Sequence, residues 1–115
     1  MATNAGAQDA RVALRPGVVA NAEFVALEFG PKQRADFQVN VVEDNRVRGY
    51  LVGSEGLCHG RFQVEGLWIG DELVIRSPSK FGIINARLRS VSASALKGPF
   101  SVAGKQGEMM VKLTD

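Results

Sequence analysis

The 115 residues hold one thiol and one imidazole, a single cysteine and a single histidine. The single cysteine, Cys58, rules out an intramolecular disulfide and fits a reducing compartment. Cys58 and His59 are adjacent. Alone they cannot build a tetrahedral zinc site. On a strand their side chains point to opposite faces, so they cannot form a nucleophile–base dyad with each other either. No apolar run approaches the roughly 18 residues of a membrane span. The first residues carry no basic start followed by an apolar core, so they do not read as a signal peptide. A cytoplasmic protein is the expectation. No glycine-rich loop ending in Gly-Lys-Ser/Thr is present, so nucleotide hydrolysis is not expected. No carboxylate pair stands out from turns and surface, and no cofactor or catalytic residue is expected.

What is present suffices for one folded domain. Hydrophobic content is 45% and charged content 23%, which excludes disorder throughout. A chain of this length buries about 65% of its unfolded surface and needs no metal or disulfide. Net charge is only +2. It is uneven: residues 1–60 carry six Lys/Arg and seven Asp/Glu, residues 61–115 eight and five.

Residues 1–17 are small and polar and end in Arg15-Pro16-Gly17, the pattern of a mobile tail. Residues 18–29 are ambiguous. Val18, Ala22, Val25 and Phe29 share a helical face, whereas Val25, Leu27 and Phe29 share a strand face, which the β-branched and aromatic content favours. Thereafter the pattern is β. Phe37, Val39 and Val41 alternate with polar residues; Asp44-Asn45 marks a turn; Val47, Gly49, Leu51 and Gly53 follow, with Arg46 and Arg48 on the outer face. Further strands are expected over 57–64, 71–76, 83–91 and 108–113, with turns at Glu65-Gly66 and a break at Ser77-Pro78-Ser79. Six or seven short strands, with many of the 13 glycines inside or beside them, point to a small closed antiparallel β-barrel over residues 18–115. No internal repeat is visible.

The stretch Gly60-Arg61-Phe62-Gln63-Val64-Glu65-Gly66-Leu67-Trp68-Ile69-Gly70-Asp71-Glu72-Leu73-Val74-Ile75 resembles the second, β-barrel domain of translational GTPases such as elongation factor Tu and initiation factor 2. Three flanking segments agree in order: Val47 to Gly56, Ala86 to Val91 with Leu88 and Val91, and Ala103-Gly104 through Leu113. The resemblance covers about residues 36–115. It implies a non-catalytic barrel that contacts RNA or a ribosome-associated partner, in some members through the surface around Gly66. Glu65 stands where elongation factor Tu carries a basic residue.

Independently of any family, Gly66 and Gly70 suit chain reversals. Leu67 and Ile69 should then face the core and leave Trp68 outward, either packed under the N-terminal segment or as an interface anchor. Arg46 with Arg48, and Arg87 with Arg89, each share a strand face. They form either a solvated wall with glutamate partners or a phosphate-binding patch. Aromatic interleaving is sparse, so no stacking platform is expected. The candidate binding residues are therefore Arg46, Arg48, Arg87, Arg89, Trp68 and Gly66. Two other functions stay open: a protein–protein or homodimerisation module, with residues 18–29 as lid or seam, and a small-ligand carrier.

Overall fold

A computed structural model describes residues 13–25, 32–54 and 59–113. These residues form eight strands: β1 (Val19–Val25), β2 (Gln33–Glu43), β3 (Arg46–Gly53), β4 (Gly60–Ile69), β5 (Glu72–Ser79), β6 (Gly82–Ser92), β7 (Ala95–Val102) and β8 (Lys105–Leu113). Each pairs antiparallel with its sequence neighbours, and β1 pairs with β8 to close the barrel. Closure leaves no edge strand among the described residues, so strand addition is not a route to partners. No helix among the described residues is long and apolar enough to cross a membrane.

Period-two alternation sets the two faces. Ala20, Ala22 and Phe24 of β1, Ala35, Phe37 and Val39 of β2, and Leu73 and Ile75 of β5 point inward and are buried. Eight strands enclose a space that side chains can fill. Here Phe24, Phe37, Trp68, Phe100 and a shell of aliphatic residues occupy it, with Phe24 and Phe100 meeting edge to face at 5.2 Å between centroids. Ser77 is the buried polar exception among the described residues, and its hydroxyl donates to the Pro78 carbonyl at 2.9 Å.

Five connections are two-residue turns. Asp44 and Ala103 have φ 52°, Gly70 φ 62° and Gly104 φ 79°, the left-handed conformation that matches strand twist in tight hairpins.

The barrel holds eight strands rather than the six or seven expected. The extra one, β7, falls between the expected strands 83–91 and 108–113, and its Gly98-Pro99 pair sits within the pairing to β8. Ser77-Pro78-Ser79 does not break β5. Pro78 points outward opposite Ile83, and the strand runs on to Ser79. Gly66 is not in a turn either. It lies mid-strand in β4 between Val47 and Ile75, while the reversal comes at Gly70-Asp71. The ambiguous segment forms strand β1 as far as Val25; residues 26–31, with Leu27 and Phe29, lie outside the described residues, as do 1–12.

Ordered structure also begins earlier than residue 18. Leu14 is 1% exposed and plugs the barrel end where the 44–45, 70–71 and 93–94 turns gather. The Gly17 amide donates to the Val39 carbonyl at 2.8 Å, and the Val39 amide donates to the Val18 carbonyl at 2.9 Å. Leu14→Ala should cost about 2 kcal/mol, low in the range for a buried leucine because a plug at a barrel mouth can settle. Urea denaturation followed by circular dichroism measures it. An unchanged midpoint would mean that residues 13–18 contribute nothing to the core.

Candidate functional site

The outer wall formed by β3, β4, β5 and β6 differs from the rest of the barrel in charge. These four strands carry six arginines (Arg46, Arg48, Arg61, Arg76, Arg87, Arg89) and two glutamates, with no lysine. The other four strands carry four cations, three of them lysines, and four acids. All six arginines are exposed.

Strand pairing sets them in rows. Arg46 lies opposite Leu67, Leu67 opposite Val74, and Val74 opposite Arg87. Three interstrand steps of about 4.8 Å put the two arginine backbones about 14 Å apart, across an apolar floor. In the next row Arg48 faces Glu65, and Glu65 faces Arg76. Arg46, Arg48, Glu65, Gly66, Leu67, Val74 and Arg76 together line a shallow depression of ≈ 300 Å³. Arg46, Arg48, Arg76 and Arg87 make no ion pair among the described residues. Arg89 differs: its Nε lies 3.2 Å from Glu72 Oε2. On the opposite side of the barrel Glu23 takes both Lys32, at 3.5 Å, and Arg34, at 3.8 Å, and Lys97 meets Glu108 at 3.5 Å.

The structure thus brings together Arg46, Arg48 and Arg87 of the expected set and ties Arg89 to a carboxylate. It takes Trp68 away from the surface. Trp68 is 4% exposed, while its neighbours Leu67 and Ile69 are 37% and 57% exposed, the reverse of the expected facing. The cause is Gly66. With no reversal there, alternation runs unbroken from Val64 through Gly66 to Trp68, and all three point inward. The Trp68 amide donates to the Asn45 carbonyl at 2.7 Å, which fixes the end of β4 against the 44–45 turn. Gly66 acts from below. A Cβ there would lie 3.0 Å from Leu73 Cδ1, so its hydrogen makes room for the core beneath the depression.

Two contributors have no signal along the chain. Arg76 reads only as the end of a strand; pairing alone shows that it flanks Glu65 from the far side. Tyr50, outward on β3 beyond Arg48, carries the Arg61 guanidinium 3.9 Å above its ring centroid. Diagonal contacts across a strand pair leave no mark in residue spacing. His59 is exposed, and Cys58 lies outside the described residues. Among the described residues no cluster of three or more His, Cys, Asp or Glu could hold a metal.

No protein-family model and no curated relative matches the chain. Solved structures do. A redesigned β-barrel superimposes with a TM-score of 0.71 over 95% of this chain and 99% of its own, at 8% identity. A second redesigned barrel, mFAP1 bound to DFHBI, gives 0.62 over 93% and 99%, at 10% identity. The likeness is one of fold. At such identities it carries no activity across.

Proposed function

We propose that this barrel is a non-catalytic binding module whose β3–β6 wall holds the phosphate backbone of RNA. The observation that carries the reading is the choice of cation. A wall selected only for solubility has no preference for arginine, whereas planar guanidiniums match phosphate in a bidentate fork that lysine lacks. Five of the six, all but Arg89, have no acidic partner among the described residues, so they meet an incoming anion without first breaking an ion pair. The resemblance of residues 36–115 to the barrel of translational GTPases favours RNA, free or on a ribosome, over other polyanions.

Binding should therefore be strongly salt-dependent. For a single strand neutralised by four arginines, log K should fall against log salt with a slope of about −3. Each single replacement among Arg46, Arg48, Arg76 and Arg87 by alanine should flatten it by about 0.7. Fluorescence anisotropy with labelled RNA between low and physiological salt makes the measurement. No salt-sensitive binding at low ionic strength would end the RNA reading.

A second reading has its own observation. Ile69 and Val91 are 57% and 56% exposed at the plugged end, beside Val41 at 39%. These suit a protein partner or a second copy. A monomer by light scattering at high concentration would exclude the second copy.

A further inference from the structure

The barrel uses one hairpin plan twice. In β2–β3, Asp36 opposes Val52, and a one-residue bulge between Val39 and Val41 shifts the register so that Val41 opposes Arg48. In β6–β7, Asn85 opposes Ser101, and the register slips by one residue between Ser90 and Ser92. Gly49 and Gly98 occupy the same place in the two hairpins. Each has a carbonyl of the partner strand, of Gln38 or of Arg87, where a Cβ would go. Positions 49 apart are thus counterparts, and the inward ones agree: Val39 with Leu88, Val47 with Leu96, Leu51 with Phe100, all buried. The match extends one strand outward on each side. Gly49 opposes Val64 as Gly98 opposes Met109, and Phe37 opposes Ala20 as Ala86 opposes Ile75.

Each outward position of the arginine wall therefore has a counterpart that shows what the scaffold requires there. Arg46 corresponds to Ala95, Arg48 to Lys97, Tyr50 to Pro99, Arg61 to Gln106, Arg76 to Asn21 and Arg87 to Gln38. One cation survives, Lys97, and it is paired with Glu108. At these six places the scaffold closes on that side without a guanidinium or a tyrosine. Neither Arg46, Arg48, Arg76 and Arg87 nor the Arg61–Tyr50 stack is demanded by the fold.

That stack has a chemistry of its own. Tyr50 follows Arg46 and Arg48 along the outer face of β3, about 6.7 Å beyond Arg48. Its ring lies under the Arg61 guanidinium carbon, 3.9 Å from the centroid. Arg61 is exposed, so a planar group can reach its guanidinium. Arginine planes and aromatic rings take nucleobases only when the base is out of a duplex.

Resting on the RNA reading above, we infer that the ligand of this wall is an unpaired RNA strand, with phosphates on Arg46, Arg48, Arg76 and Arg87 and a base stacked on the Arg61–Tyr50 platform. The test uses a 12-nucleotide RNA of mixed sequence, single-stranded or annealed to its complement, read by anisotropy. The full chain and two sets of counterpart exchanges are compared: Arg61→Gln alone, and Arg46→Ala, Arg76→Asn and Arg87→Gln together. These exchanges install residues the same barrel already carries at equivalent places, and thermal melting should show them folded. The wild type should prefer the single strand. Arg61→Gln should weaken single-strand binding about tenfold and leave duplex binding nearly unchanged, and Tyr50→Leu should do the same. The triple exchange should weaken both and flatten the salt slope by about 2. Equal wild-type affinity for the two forms, equal losses on both from Arg61→Gln, or no loss at all would overturn the inference while the RNA reading stood. Failure of the wild type to bind either RNA at low salt would remove both.

Discussion

Gly49→Ala and Gly98→Ala should each destabilise the barrel by about 3 kcal/mol or more, and the double variant should not fold. The reason is space, not backbone conformation. An alanine Cβ at position 49 would run into the Gln38 carbonyl oxygen and lie 2.9 Å from its carbon; at position 98 it would meet the Arg87 carbonyl in the same way, 2.8 Å from the carbon. Both obstacles are backbone, so no rotamer change relieves them. Bulges and glycine kinks are where a sheet coils sharply enough to close; Gly49 pairs with Val39 at the β2–β3 bulge, and Gly98 lies on the same β7 strand as the β6–β7 irregularity, a few residues further along. Gly70 makes the contrast. It has φ 62°, and a methyl group added there would meet nothing within 4 Å, so Gly70→Ala should cost only about 1 kcal/mol of left-handed strain. Urea denaturation of the three single variants decides the matter. Equal, small losses at 49, 70 and 98 would mean that the strands do not approach closely enough at 49 and 98 to exclude a methyl group.

Trp68→Ala should cost about 3–5 kcal/mol, and Trp68→Phe markedly less. The indole is buried opposite Leu73, at the barrel end that Leu14 plugs. Its removal leaves a void bounded by strands on both sides, with little freedom to collapse. Trp68 is the only tryptophan, which gives a direct optical check. Its native emission should resist iodide quenching and become quenchable on unfolding. Efficient quenching of the folded protein would place the ring on the outer wall.

The barrel itself is legible in the sequence because alternation and turn residues act locally. Phe37-Gln38-Val39 and Asp44-Asn45 each state their role within a few residues. Glycines inside strands point to closure for a reason that Gly49 and Gly98 then supply. Misreadings arise where one residue type serves two purposes. Gly66 and Ser77-Pro78-Ser79 read as a turn and a break, yet Gly66 makes room for Leu73 and Pro78 lies in a paired strand. A turn assigned to Gly66 also inverts Trp68, because a strand's facing depends on its count from the last reversal. Half of the candidate site is visible as Arg46, Arg48 and Arg87. Arg76, the Arg61–Tyr50 stack and the Arg89–Glu72 pair depend on which strands lie side by side, and no spacing along the chain encodes that. The two hairpins share almost no sequence, so their common plan emerges only from register.

The β1–β8 seam bears on how the molecule comes into being. Val25 pairs with Glu108 and Ala20 with Leu113, so the first strand waits for the last before its second side is satisfied. During synthesis seven strands can assemble in order as a curved sheet, but its two open margins persist until residue 113 has emerged. Such long-range closure belongs to the slow end of folding, on the order of milliseconds to seconds. While it is pending, those margins are templates for another copy's β1 or β8. Crowded expression or a chain shortened before β8 should therefore yield exchanged dimers and aggregates in which the seam forms between molecules.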